Sequence, residues 1–413
     1  MQVSSDGEAF SLLKDLAAEN GLDVAGGAVR RTSSRFCLGV EHGDYNGTEL
    51  FGVATDRFIW LAWKPNGTNR VRLFSGNFPA EGVIDFALDS LPPPRSPQIA
   101  DRWARFPYGV AYILRKNGFD LRQGFDGVLY GNIPGGGMSR SASLTINLML
   151  TFLEVNGLSA SSDFQIIDMA QAVENEYIGS PCGQLDQIMI YFSKAGMGTH
   201  YNPRTRTVSY VALGEKAPDF RLVSLDTGTV RPGLEKSTYR IRRAECEELV
   251  ERAKEAGFQI SCLADVEDED LYDRIVGRFG KEFPHLCDRL TYIFNAQKRF
   301  REMLEAWKRG DIETVGRVFR EDGIGLRDEY CISGPELETM CDIARTVPGV
   351  LGERMLGGGD KGAAGAVVRA DSVEALREAV AVAYPRSRPL YADKYAVHGL
   401  RVVQGVERFE GVL

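Results

Sequence analysis

Between residues 127 and 155 a short strand-like run feeds a glycine-rich turn, Gly135-Gly136-Gly137-Met138-Ser139, and the turn opens a helical pattern that begins near Arg140. Glycines let a backbone approach a ligand closely, and the free N–H groups at a helix start favour an anion such as a triphosphate. The turn is not a Walker A loop, because it lacks the G-x-x-x-x-G-K-[ST] spacing and its lysine. It is not a dinucleotide fingerprint either, which needs G-x-G-x-x-G in a βαβ unit with an acid about 20 residues on. Tight turns with a helix cap share this composition, so the turn by itself names no ligand.

The flanking chain sets the architecture. Strand-like runs at 35–40, 50–54, 58–63 and 71–74 are rich in β-branched and aromatic residues, separated by Asn-Gly and Gly-Asp turn signals, and read as an antiparallel sheet. Ahead of them Ser5 or Asp6 caps a first helix carrying Phe10, Leu13 and Leu16 at helical spacing, stopped by Gly21. Helical patterns cover about 102–117, 141–155 and 164–178. From about 190 a second alternation begins, with strands near 207–213 and 220–226, helices near 236–256, 287–308 and 335–346, and a glycine-rich segment at 357–365. With 413 residues the expectation is two α+β domains, 1–190 and 191–413.

Composition narrows the function classes. A net charge of −8 disfavours nucleic acid or an anionic membrane as partner, so an anionic ligand must be held by local chemistry. No run reaches the ~18 apolar residues of a membrane span, and the first residues lack the basic and apolar regions of a signal peptide, so a cytoplasmic protein is expected. Seven cysteines without a C-x-x-C pair argue against a zinc ribbon or a disulfide framework.

Four segments then carry a resemblance. Pro134 to Leu144 is similar to the phosphate-binding P-x-G-x-G-L-S-S-S-A motif of the GHMP small-molecule kinases. Arg35, followed six residues later by Glu41-His42-Gly43-Asp44-Tyr45-Asn46-Gly47, resembles the N-terminal signature of the galactokinase family within them. Cys182-Gly183-Gln184-Leu185-Asp186-Gln187 resembles that family's C-G-I-M-D-Q segment, and Gly352-Glu353-Arg354-Met355-Leu356-Gly357-Gly358-Gly359 its C-terminal glycine motif. All four stand in the family's order, with weaker matches between them at 103–109, 174–175, 237–246 and 335–337, so the resemblance spans about 30–400. It implies a two-domain α+β GHMP kinase fold, with a ribosomal protein S5 domain 2-like N-terminal domain and a ferredoxin-like C-terminal domain. The active site is expected in the cleft between them.

The resemblance also implies roles. Asp186 faces the anomeric hydroxyl of a sugar and either accepts its proton or holds it in line, while Arg35 pairs with Asp186 and the transferring phosphoryl group. Glu41, His42, Gly43 and Asp44, with Cys182, Gly183 and Tyr239, surround the sugar, with Glu41 and His42 toward C6 and Asp44 toward the C3 and C4 hydroxyls. Gly135, Gly136, Gly137, Ser139, Arg140 and Ser141 cradle the phosphates of ATP, and Trp103 and Phe106 flank the adenine. Ser141 and Glu174 match the positions that hold Mg²⁺. The implied activity is an ATP-dependent sugar-1-kinase, and the implied partners are a sugar and ATP.

Three departures from the pattern are visible. Arg140 replaces the central serine of the loop, Asp360-Lys361 replaces a Phe-Gly pair, and Gly323 stands where many galactokinases have a histidine. Glu41 favours galactose or a galactose-configured neutral sugar, since a carboxylate at the C6 end accepts a hydrogen bond from a hydroxyl and repels a uronate. Galacturonate or arabinose is the alternative substrate. A non-catalytic regulator that binds sugar and ATP is the alternative of another class.

Overall fold

The structure, a computed structural model, describes residues 3–100, 102–230 and 237–413. Among these residues twelve strands form two sheets, and eleven α-helices pack on them. The strands of the larger sheet are β1 (Ala28–Gly39), β2 (Leu50–Pro65), β3 (Arg70–Ser75), β4 (Ile84–Ala87), β5 (Phe125–Gly131), β6 (Met197–Asn202), β7 (Thr207–Ala212) and β12 (Val406–Glu410). Its path is β12-β1-β2-β5-β3-β4, with β6 joining β2 and carrying β7. The smaller sheet is β11-β8-β10-β9, from β8 (Phe220–Asp226), β9 (Val350–Met355), β10 (Ala363–Arg369) and β11 (Ala396–Leu400). This is the α+β architecture expected, with three strands from beyond residue 190 belonging to the larger sheet.

Two sequence readings need correction. The runs at 50–54 and 58–63 are one continuous strand, because Asp56 and Arg57 form a bulge: Ser33 pairs with Phe58 while Ser34 pairs with Thr55. The sheet is also not wholly antiparallel, since β3 and β5 run parallel with Arg72 opposite Asp126. Local polarity around Asp56 reads as a turn, but pairing with β1 and burial of Ala54 and Phe58 carry the strand through it.

The helices before the site are α1 (Asp6–Glu19), α2 (Arg105–Lys116), α3 (Arg140–Val155), α4 (Asp163–Ala172) and α5 (Leu185–Tyr191). Ser5 caps α1 by accepting from the Glu8 N–H at 3.3 Å, as expected of a Ser-Asp start. The later helices are α6 (Thr238–Glu255), α7 (Glu269–Phe279), α8 (Pro284–Arg309), α9 (Ile312–Asp328), α10 (Pro335–Arg345) and α11 (Val373–Ser387). The helix read from about 236 thus begins at Thr238, residue 236 itself lying outside the described residues. The helix read over 164–178 keeps α form only to Ala172 and then widens into a π turn, Val173–Ile178, a form common at functional sites. One apolar cluster runs through both sheets, from Phe36, Phe51 and Phe152 on one side to Phe319 and Val367 on the other. That shared core holds the larger sheet and the loop after β9 at a common cleft.

Candidate active site

The cleft holds a cavity of about 370 Å³ whose lining comes from β1, the turn after it, the glycine loop, the π turn, the start of α5, the start of α6 and the loop at 357–358. Nearly all the residues singled out from sequence meet there. Arg35, Glu41, His42, Asp44, Trp103, Phe106, Gly135, Gly136, Gly137, Ser139, Arg140, Ser141, Glu174, Cys182, Gly183, Asp186 and Tyr239 line it. Gly43 does not; it stands in the turn behind His42 and Asp44, capping the short 3₁₀ segment Asp44–Asn46.

At the centre, the buried guanidinium of Arg35 spans two elements. Its Nε and Nη2 lie 2.8 and 2.7 Å from Asp186 Oδ1, and its Nη1 donates to the Gly137 carbonyl at 2.7 Å. Burial would lower its pKa, but the charges of Asp186 and Glu41 outweigh burial and raise it, so the group is a permanent cation. Asp186 sits in the first turn of α5 and keeps about a third of its side chain exposed to the cavity. The segment before it is braced by the π turn: Asn175 accepts from the Cys182 N–H at 2.8 Å and donates to the Cys182 carbonyl at 3.1 Å.

The part of the cavity expected to take the sugar is built from the turn after β1. His42 takes a left-handed backbone, φ 59°, a costly conformation for a residue with a side chain, and its Nδ1 is 2.9 Å from Tyr45 Oη. Asp44 is half-buried and accepts from the backbone N–H groups of Leu185 and Tyr45, both at 3.1 Å. Burial raises its pKa, reinforced by Asp186 and opposed by those N–H groups. Gly183 has to be glycine here, because a Cβ would stand 2.0 Å from Asp44 Oδ2. Tyr239 packs over His42 with ring centres 5.1 Å apart, and burial beside Asp44 raises its hydroxyl pKa, so it stays a hydrogen-bond donor.

Glu41 is held from beneath. Its Oε1 accepts from the Gly357 N–H at 2.9 Å and lies 3.8 Å from Arg354 Nη2. Arg354, fully buried, donates to the Cys37 carbonyl at 2.9 Å and pairs with Asp322. Burial raises the Glu41 pKa, against the pull of Arg35 and Arg354. Sequence reasoning placed Glu41 in the site but missed Arg354, which sat in the glycine motif without a role. The same pair explains Gly323: a Cβ there would lie 2.4 Å from Arg354 Cβ, so this chain has no room for a side chain at that position.

In the part of the cavity expected to take the nucleotide, α3 begins at Arg140 with its first turn open to the cavity, and Ser139 has a left-handed backbone and no capping hydrogen bond. Ser139 Oγ is buried with no hydrogen-bond partner among the described residues, which suits a hydroxyl that donates to a phosphate oxygen. Ser141 Oγ and Glu174 Oε2 lie 3.2 Å apart. Buried Trp103 and half-buried Phe106 form an aromatic wall, to which Phe78, Arg102 and Arg105 add contacts that sequence reasoning missed. The first is on a loop, and the arginines read as surface charges because Arg102 stays exposed and Arg105 half-buried even as they line the cavity.

Comparison with known proteins decides the family. The model of the GHMP kinases N terminal domain matches residues 105–194. The galactokinase of Limosilactobacillus fermentum is 31% identical over 347 residues, covering 83% of this chain and 86% of its own. This chain belongs to the galactokinase family. The galactokinase of Bacillus subtilis is 30% identical over 369 residues, with 88% of this chain and 92% of that protein covered. The crystal structure of Lactococcus lactis galactokinase complexed with galactose superposes with a TM-score of 0.87 at 27% identity, over 96% of this chain and 98% of that one. Methanococcus jannaschii mevalonate kinase, at 15% identity and a TM-score of 0.62, shares the fold. As a galactokinase-family member the chain is a kinase, a phosphotransferase with an alcohol group as acceptor. No helix among the described residues is long and apolar enough to cross a membrane.

Proposed function

We propose that this chain transfers the terminal phosphoryl group of ATP to the anomeric hydroxyl of galactose or a galactose-configured neutral sugar, releasing the sugar 1-phosphate and ADP. The observation that carries this reading is Arg35, whose guanidinium joins Asp186 to the carbonyl of Gly137 in the glycine loop. Phosphoryl transfer needs an oriented hydroxyl, neutralised phosphate charge and exclusion of water, with little covalent work for the protein. Asp186 orients or deprotonates the hydroxyl at the mouth of the sugar side. The open N–H groups of α3, Ser139 and Arg140 hold the phosphates, and Trp103 with Phe106 holds the base. His42, Asp44 and Tyr239 offer acceptors and donors to ring hydroxyls, with Glu41 toward C6.

The residues present fit magnesium. Ser141 and Glu174 are hard oxygen donors side by side, the donor type that suits an ion that keeps its waters and takes phosphate oxygens. When bound, the ion neutralises phosphate charge. In this reading residues 1–190 and 191–413 are the two domains, the protein works in the cytoplasm, and no nucleic acid or membrane takes part.

An ADP-release assay over galactose, galacturonate, arabinose and other aldoses tests the proposal. ADP formed fastest with galactose supports it, and ADP formed fastest with galacturonate moves the substrate to the uronate. Sugar and ATP binding without ADP makes the protein a regulator.

A further inference from the structure

The α6 helix carries Tyr239 into the cavity one residue after its start, yet its own N-cap residue does not cap it, since the Ser237 side chain makes no capping bond. The cap comes from far along the chain: Asp360 Oδ2 accepts from the Thr238 N–H at 2.7 Å. An acidic oxygen at that place satisfies an open donor and favours the positive end of the helix. Asp360 itself is fixed in a left-handed backbone, φ 59°, and its N–H donates to the Ile332 carbonyl at 2.8 Å. The loop it belongs to reaches both halves of the site. Its Gly357 N–H holds Glu41 Oε1, Gly362 packs directly on Gly136 of the phosphate loop, and the Gly362 carbonyl accepts from the Thr227 N–H at 3.0 Å.

We infer that Asp360 is a positioning residue for sugar binding, which holds α6 so that Tyr239 closes over the sugar side, and that loop 357–362 makes this placement depend on the nucleotide side. Asp360 does not line the cavity, so it acts through Thr238 and Tyr239. The Tyr239 ring is buried against His42 and Tyr45, and a shift of the helix start would move it off both. The inference rests on the proposed sugar and nucleotide sites.

The test uses the full chain with three variants. Asp360→Ala removes the acceptor and Asp360→Asn restores one. Thr238→Pro removes the donor at the first helical position, where proline is tolerated and where Ser237 already has the extended backbone that proline requires of its predecessor. The expected result for Asp360→Ala and Thr238→Pro is about a fivefold to tenfold rise in the galactose KM, with kcat and the ATP affinity of the sugar-free enzyme little changed, since a lost cap costs ~1 kcal/mol and 1.4 kcal/mol is tenfold. Asp360→Asn should recover most of the loss, and the double variant should be no worse than either single one. The tightening of galactose binding by a non-hydrolysable ATP analogue should shrink in Asp360→Ala. An unchanged galactose KM in Thr238→Pro, or additive losses in the double variant, overturns the inference even if Asp360→Ala fails to fold. If the wild type phosphorylates no sugar, the functional reading fails first and separately.

Discussion

Arg35 meets Asp186 through both Nε and Nη2, at 2.8 and 2.7 Å from one carboxylate oxygen, while its remaining arm holds the Gly137 carbonyl at 2.7 Å. The free oxygen of Asp186 is thereby left to face the cavity, and the glycine loop is tied to the same cation. Asp186→Asn should leave the fold and ATP binding intact and lower kcat by about a hundredfold or more, the scale of a positioned proton acceptor or charge. Arg35→Ala should also lower kcat, and the double variant should be little worse than either single one because the two act as a unit. Steady-state kinetics beside ATP-binding titrations check this, and near-normal turnover in Asp186→Asn removes it from the mechanism.

Substrate choice turns on Glu41. Glu41→Ala should weaken galactose use by ~1–3 kcal/mol through loss of a charge-assisted hydrogen bond. It should also raise the galacturonate-to-galactose ratio of kcat/KM, by relieving repulsion. Arg354 Nη2 lies 3.8 Å from the oxygen that the substitution removes, so a cation stands near the place a uronate carboxylate would take. The measured quantity is the ratio, and a ratio unmoved by the change means that Glu41 does not face C6.

Glu41 also makes stability depend on pH. Burial raises its carboxyl above the ordinary range despite Arg35 and Arg354. A group that binds its proton more tightly folded than unfolded stabilises the fold fully below its unfolded pKa, and that contribution is lost as pH rises through the folded pKa. Glu41→Gln keeps an oxygen for the Gly357 N–H and removes the charge. Its Tm should exceed the wild-type value at neutral pH, and the gap should close as pH falls through the Glu41 titration. Thermal melts across pH check the sign, and a gap that widens in acid contradicts it.

Ser141 and Glu174 are the expected magnesium positions. Ser141→Ala and Glu174→Gln should each raise the magnesium concentration for half-maximal activity by about tenfold or more. ATP binding measured without metal should hold near the wild-type value. Loss of metal-free ATP binding to the same degree would instead place both residues in the support of the glycine loop.

The elements proposed to hold the phosphates were legible in the chain because they are local: a strand, a glycine turn and a helix start are contiguous, and helix-end donors need no distant partner to favour an anion. The sugar residues were legible only as an ordered signature, since a Glu-His-Gly-Asp turn is also an ordinary polar surface. What only the tertiary structure decided is long-range. Arg35 meets Asp186 across 151 residues, Glu41 meets Gly357 across 316, and Thr238 meets Asp360 across 122, each pairing made by elements that only the fold brings together. A sequence presents Arg354 as one basic residue in a glycine motif and Asp360 as a polar departure from it. Burial beside Glu41 and Asp322 gives the first its role, and a left-handed backbone with an open helix end gives the second its place.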